Sequence, residues 1–209
     1  MNKILSTTFT LLLSFFAISS TAQAFNIYRV GDVVHGREHN EMLNRWIDRD
    51  FSIWVGVNER NDEYIFFKGD TGLSTATMRV NNTKSIKEKF TNAISKAIEW
   101  SEVAKKNKAD TTKGLGCFGV DKYGLCEKNS SAFDKGQMSL KFFSANNGNQ
   151  TDLIVDIIDR NNQFYKASIY IKTSEMKKLL SAAKGIEVAF LKARAPLIFS
   201  IYSCYLELA

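Results

Sequence analysis

The feature that most constrains this chain is an order of hydrophobic periods that occurs twice. From Phe51, "FSIWVGV", "EYIFFKG" and "LSTATMRV" carry the alternation and the β-branched and aromatic content of strands, separated by "NERND" and "DTG". A helical period follows, with Ile86, Phe90, Ala93, Ile94, Ala97, Ile98 and Ala104 on one stripe. Ser85 and Glu88 fit a capping box at its start, each side chain able to satisfy the other's unpaired backbone donor. From Gln137 the order returns. "QMSLKFFS", "TDLIVDIID" and "QFYKASIYI" read as strands, split by "ANNGNQ" and "RNN", whose asparagines tolerate the backbone angles of tight turns. A second helix is predicted from after Thr173 to before Pro196, with Met176, Leu179, Leu180, Ala183, Ile186 and Phe190 as its stripe. Matching elements lie about 90 residues apart. The predicted class is α+β: antiparallel β-meanders each followed by a long helix, a βββα pseudo-repeat with halves at about 51–108 and 137–194. "PLIFSIYSCYLEL" closes it as a C-terminal strand. Ahead of the first half, "FNIYRV" reads as a short extended segment. "EHNEMLNRWIDR" reads as a short helix with Met42, Leu43, Trp46 and Ile47 on one side.

The N-terminus is a different kind of segment. Lys3 supplies a positive start, "FTLLLSFFAI" an apolar run, and "TAQA" the small-x-small pattern of a cleavage site, so residues 1–24 are expected to act as a secretory signal peptide cut after Ala24. The apolar run is half the roughly 20 residues a membrane-spanning helix needs. Of 209 residues, removing 24 leaves 185, suited to one globular domain over 25–209 in the periplasm or outside the cell. Losing Lys3 leaves 27 basic against 22 acidic side chains, too mild an excess for a nucleic-acid tail.

An oxidising address makes cysteine pairing relevant. Cys117 and Cys126 flank "FGVDKYGL" in a glycine-punctuated stretch read as the connector between halves, and they are expected to form a disulfide. Such a link would order the loop at about 2 to 3 kcal/mol in the chain-entropy model. Phe118, Asp121, Lys122 and Tyr123 near its tip are the predicted partner-binding residues. Cys204 is then odd, and is expected to be buried as a small apolar side chain.

"HGREHNE" holds both histidines of the chain, and His35, Glu38 and His39 spell the inverted zinc-protease signature H-x-x-E-H. Its surroundings argue against metal catalysis. Gly36 sits inside the motif, "GDVV" before it looks extended, and no companion glutamate motif follows. Neither a nucleophile elbow, a P-loop nor a C-x-x-C pair is present, so no catalytic residue, cofactor or metal is expected. Asp152, Asp156 and Asp159 are expected to lie on the wet side of a strand.

Trp54, Phe67, Phe143, Tyr165 and Tyr170 fall on predicted strands near Lys68, Lys141, Lys166 and Lys172. If several of these rings face outward, they form stacking platforms beside positive charge, suited to single-stranded nucleic acid or an acidic protein. The doubled meander-plus-helix order resembles the topology of PUR-type and whirly-type single-strand-binding proteins over residues 51–194. That resemblance implies curved sheets around two helices and is architectural, so it carries over no binding residues. The leading expectation is an exported, non-enzymatic binding protein that occludes or scaffolds a protein or envelope component, as an inhibitor or immunity factor does. Single-stranded nucleic-acid binding is the alternative, and zinc hydrolysis the second alternative.

Overall fold

The computed structural model describes residues 25–119, 137–159 and 165–194. Four strands lead into a helix, and four more lead into a second. The first set is β1 (Phe25–Asn40), β2 (Arg45–Asn58), β3 (Glu63–Asp70), β4 (Thr75–Asn81) and α1 (Lys84–Asn107). The second is β5 (Thr111–Gly119), β6 (Gln137–Ala145), β7 (Gln150–Ile158), β8 (Lys166–Lys172) and α2 (Thr173–Lys184), followed by a shorter helix α3 over 186–194. All the described strands belong to one antiparallel sheet in the order β4-β3-β2-β1-β8-β7-β6-β5. The protein is therefore α+β. Its unit is not the predicted three strands and a long helix, because β1 and β5 each precede a triplet and the second helix is notched.

The added strands explain two corrections. The segment predicted as a short helix is the end of β1, a turn and the start of β2. Met42 and Leu43 sit in the turn, while Trp46 and Ile47 point to opposite sides of the strand as a pleat requires. Their helix-like spacing came from residues with unrelated roles. The predicted connector from Lys108 onward begins with β5, whose three glycines hid a strand that pairs with β6. The leader at 1–24, the expected C-terminal strand, Cys126, Cys204 and the loop residues Asp121, Lys122 and Tyr123 lie outside the described residues.

Alternation decides which face each strand buries. Ile53, Val55 and Val57 on β2, Ile65 and Phe67 on β3, and Leu153, Val155 and Ile157 on β7 all enter one core with α1 and α2. Phe67 lies 4.7 Å from Phe90 of α1 and 6.3 Å from Phe118 of β5, ring centre to ring centre, so both sets of strands share that core. Where β3 crosses β8 only a glycine fits: a Cβ on Gly69 would stand 2.9 Å from the Ala167 Cβ. The sheet thus folds over on itself, and its two arms meet around α1.

The helix ends follow local chemistry. Thr83, in extended conformation, caps α1 by accepting from the Ile86 N–H at 3.2 Å, so the cap lies two residues before the expected Ser85. Glu88 pairs with Lys84 on the surface instead. At the other end Lys108 takes a left-handed conformation, and the Ala109 N–H reaches the Ala104 carbonyl at 2.9 Å, as in a Schellman motif. The second predicted helix breaks at Gly185, whose N–H bonds the Ser181 and Ala182 carbonyls. Among the described residues no helix is long and apolar enough to cross a membrane.

Candidate functional site

β1 and β2 form a long hairpin whose tip is exposed and apolar. Asn40 Oδ1 accepts from the Leu43 N–H at 2.9 Å, and Asn44 takes a left-handed conformation, so a tight turn holds the tip. It presents Met42, 96% exposed, and Leu43 to solvent. Just below, Trp46 stands cross-strand from His39 on the outer face of the sheet.

From Trp46 a row of rings runs across the face. His39 meets Trp46 edge-on at 5.3 Å, Trp46 meets Tyr170 of β8 at 5.0 Å, and Tyr170 meets Phe143 of β6 at 5.9 Å. Each contact is T-shaped, the arrangement that sets the positive edge of one ring on the negative face of the next. The row spans the joint between the two sets of strands, because β1 and β8 pair at Arg37 and Tyr170. Trp46 remains 41% exposed, so part of its surface meets solvent.

Polar groups fix this row from beneath. The Arg37 guanidinium lies 4.3 Å from the Trp46 ring centre and pairs with Asp152 at 3.1 Å. Asp152 also accepts from the Gln150 amide at 3.0 Å. Neighbouring Asp156 accepts from the Ser139 and Ser168 hydroxyls and from Lys141 at 2.8 Å. Burial, helped by Asp156 and Asp152 and opposed by Lys141, pushes the Tyr170 phenol above its ordinary pKa, so it remains a neutral hydroxyl. Asp152 is 0% exposed and Asp159 is buried too. The expected wet row of carboxylates is therefore corrected at two of its three positions: side chains from neighbouring strands cover Asp152, and Asp159 accepts the Thr77 backbone N–H of β4 at 2.7 Å, while Asp156 stays partly exposed.

The histidine motif lies on a strand. His35 and His39 share one face, but four residues of extended chain separate them by about 13 Å, too far for one zinc ion. Glu38 falls on the opposite face, where it accepts from Arg49 Nε at 2.8 Å. His35 Nδ1 lies 2.8 Å from Asp50, and its backbone N–H donates to Glu175 of α2. Among the described residues no three His, Cys, Asp or Glu side chains gather closely enough to hold a metal.

The predicted aromatic and basic surface is divided. Phe143 and Tyr170 share the outer face with Lys141, while Trp54 sits on the other arm with the Lys68 ammonium 4.3 Å from its ring centre. Burial lowers the Lys68 pKa. Phe67 is in the core, and Tyr165 is exposed beside Lys166. Phe118, expected at a contact loop, is 0% exposed and packs on Phe67 and Phe90. Its place on β5 opposite Met138 directs it into the core, so it cannot meet a partner. Cys117 is half-buried on the same strand. His39, Arg37 and Trp46 were missing from the sequence-derived surface; the alternation of His35, Arg37 and His39 was the available signal, since it marks one strand face. Comparisons with protein-family models, curated proteins and solved structures found no match to this chain.

Proposed function

We propose that the chain is an exported, non-enzymatic binding protein that engages a protein or envelope component through the ring row and the β1–β2 hairpin tip. The observation that carries this reading is the row His39, Trp46, Tyr170 and Phe143 with Arg37 held against Trp46. Trp, Tyr and Arg dominate interface hot spots because they offer large, rigid contact area with a polar handle. Charge on the face is balanced: Arg37 and Lys141 are matched by Asp152 and Asp156, which favours a mixed protein surface over a polyanion. Export rests on the leader read in residues 1–24. An inhibitor or immunity-type factor is the concrete form of the proposal, with a Cys117–Cys126 disulfide that non-reducing peptide mapping would detect.

A photo-crosslinking residue placed at Met42 in living cells tests the surface. A discrete adduct that disappears in a Trp46→Ala background is expected. No adduct, or adducts indifferent to Trp46→Ala, would count against it.

Single-stranded nucleic-acid binding is the second reading, favoured by the doubled order of four strands and a helix and by rings beside Lys141. It requires binding to single-stranded oligonucleotides that weakens steeply with salt as counterions are released. Absence of binding at low salt removes it.

A further inference from the structure

On the other side of β1 a groove carries different chemistry. β1 leaves its register with β2 between Val30 and Val34. Gly31, at φ 69°, lies there, and a Cβ on it would stand 3.0 Å from the Ala182 Cβ of α2. The strand is thus pinned against the helix at this point. Before it, residues from Phe25 to Val30 pair with β2 along one edge. Among the described residues no strand pairs with the other edge, and β8 joins β1 in register only at Arg37. An open edge presents backbone donors and acceptors to any extended chain that reaches it.

Along that edge runs a groove of about 750 Å³ with α2 and α3 as its far wall. Tyr28, Arg29 and Asp32 line it from the strand, and Lys178, Val188 and Lys192 from the helices. Val188, 58% exposed, and Tyr28 provide apolar steps at which alternate side chains of an added strand would land. Three cations face one carboxylate in this lining. Lys178 is held by Glu175 at 2.6 Å, and Lys192 reaches the Tyr28 hydroxyl at 3.3 Å. The remaining excess of positive charge selects a negatively charged occupant.

We propose that this groove takes an extended acidic segment of a partner protein, added as a strand to the β1 edge that no described strand pairs, with a carboxylate toward Lys192. A strand edge facing a helix is the geometry of β-augmentation, in which the main chain supplies affinity and alternate side-chain pockets supply specificity. The site is separate from the ring row and is read by its own probe.

The experiment is fluorescence anisotropy of the purified full chain with a fluorescein-labelled peptide alternating Glu and Val. Its Lys-for-Glu counterpart and a form N-methylated at alternate amides serve as comparisons. The Glu peptide is expected to bind at least about tenfold more tightly than either, and Lys192→Glu to weaken it by about tenfold. Lys192 is exposed, and the N-methylated peptide leaves the protein unaltered, so misfolding cannot imitate the result. The proposal is overturned if the Glu peptide does not bind, if the Lys peptide binds equally, or if N-methylation has no effect. It is also overturned if hydrogen exchange finds the Phe25–Val30 edge already protected in the free chain, by a second copy or by the chain's own residues 195–209.

Discussion

Replacing Arg37 with Ala should destabilise the fold more than replacing Asp152 with Ala, although both break the same ion pair. With the guanidinium gone, the fully buried Asp152 carboxylate keeps one hydrogen bond, from the Gln150 amide at 3.0 Å. A buried charge stripped of its partner costs about 3 to 5 kcal/mol. In the reverse case the Arg37 side chain is 23% exposed, so water reaches part of what Asp152 vacates, and the cost falls to about 1 to 3 kcal/mol. Arg37 Nε and Asp152 Oδ1 already lack hydrogen-bond partners, so the pair recovers less than its desolvation. Removing both charges together, as Arg37→Met with Asp152→Leu, should therefore return stability to within about 1 kcal/mol of the parent or above it. Urea unfolding followed by far-ultraviolet circular dichroism measures all three variants. Fluorescence would mislead, because Trp46 lies against the guanidinium and would respond without unfolding. The reasoning fails if Asp152→Ala costs as much as Arg37→Ala, or if the apolar double variant is as unstable as Arg37→Ala alone.

Phe67→Ala should cost about 3 to 5 kcal/mol and lower one calorimetric transition without splitting it, because that ring meets Phe51, Phe90 and Phe118 from both arms. Gly148→Ala should lower stability by more than about 2 kcal/mol in thermal denaturation, since the position has φ 72° and the new Cβ would stand 2.2 Å from the Ala104 carbonyl oxygen. The Lys178 hydrogen bond, aided by the His35 N–H and outweighing desolvation, holds the Glu175 pKa below its ordinary value. Its stabilising contribution is therefore present above the unfolded glutamate pKa and lost as pH falls through the lower folded value. Acid unfolding of Glu175→Gln should show a shallower loss in that window than the parent.

Strands buried on one face announced themselves. β2 from Phe51, β3, β4 and β6 to β8 alternate because every second residue enters the core, and α1 and α2 repeat every three to four residues for the same reason. The far part of β1, beyond the extended "FNIYRV" and "GDVV", and all of β5 were hidden by composition. Beyond Val34, β1 buries little, so His35 to Asn40 carry no hydrophobic period. β5 spends three of its positions on glycine. The ring row was not legible for a further reason: Trp46, Tyr170 and Phe143 are adjacent only through strand order, and spacing along the chain has no bearing on which strands become neighbours. Phe118 was misplaced because a glycine-rich stretch with a cysteine reads as a loop, whereas its pairing opposite Met138 makes it core.

In the strand order β4-β3-β2-β1-β8-β7-β6-β5, every neighbouring pair is consecutive along the chain except β1 and β8. Contacts close in sequence cost little loop-closure entropy and form early, whereas one that spans most of the chain forms late. We predict that each run of four strands assembles quickly and that the encounter of β1 with β8 sets the overall folding rate. Gly36 sits at that encounter, where a Cβ would lie 2.4 Å from Ile169 Cγ2 and 2.9 Å from the Tyr170 carbonyl oxygen. In stopped-flow refolding, Gly36→Ala should slow the main phase; an unchanged folding rate with faster unfolding would place the joining of these strands after the barrier instead.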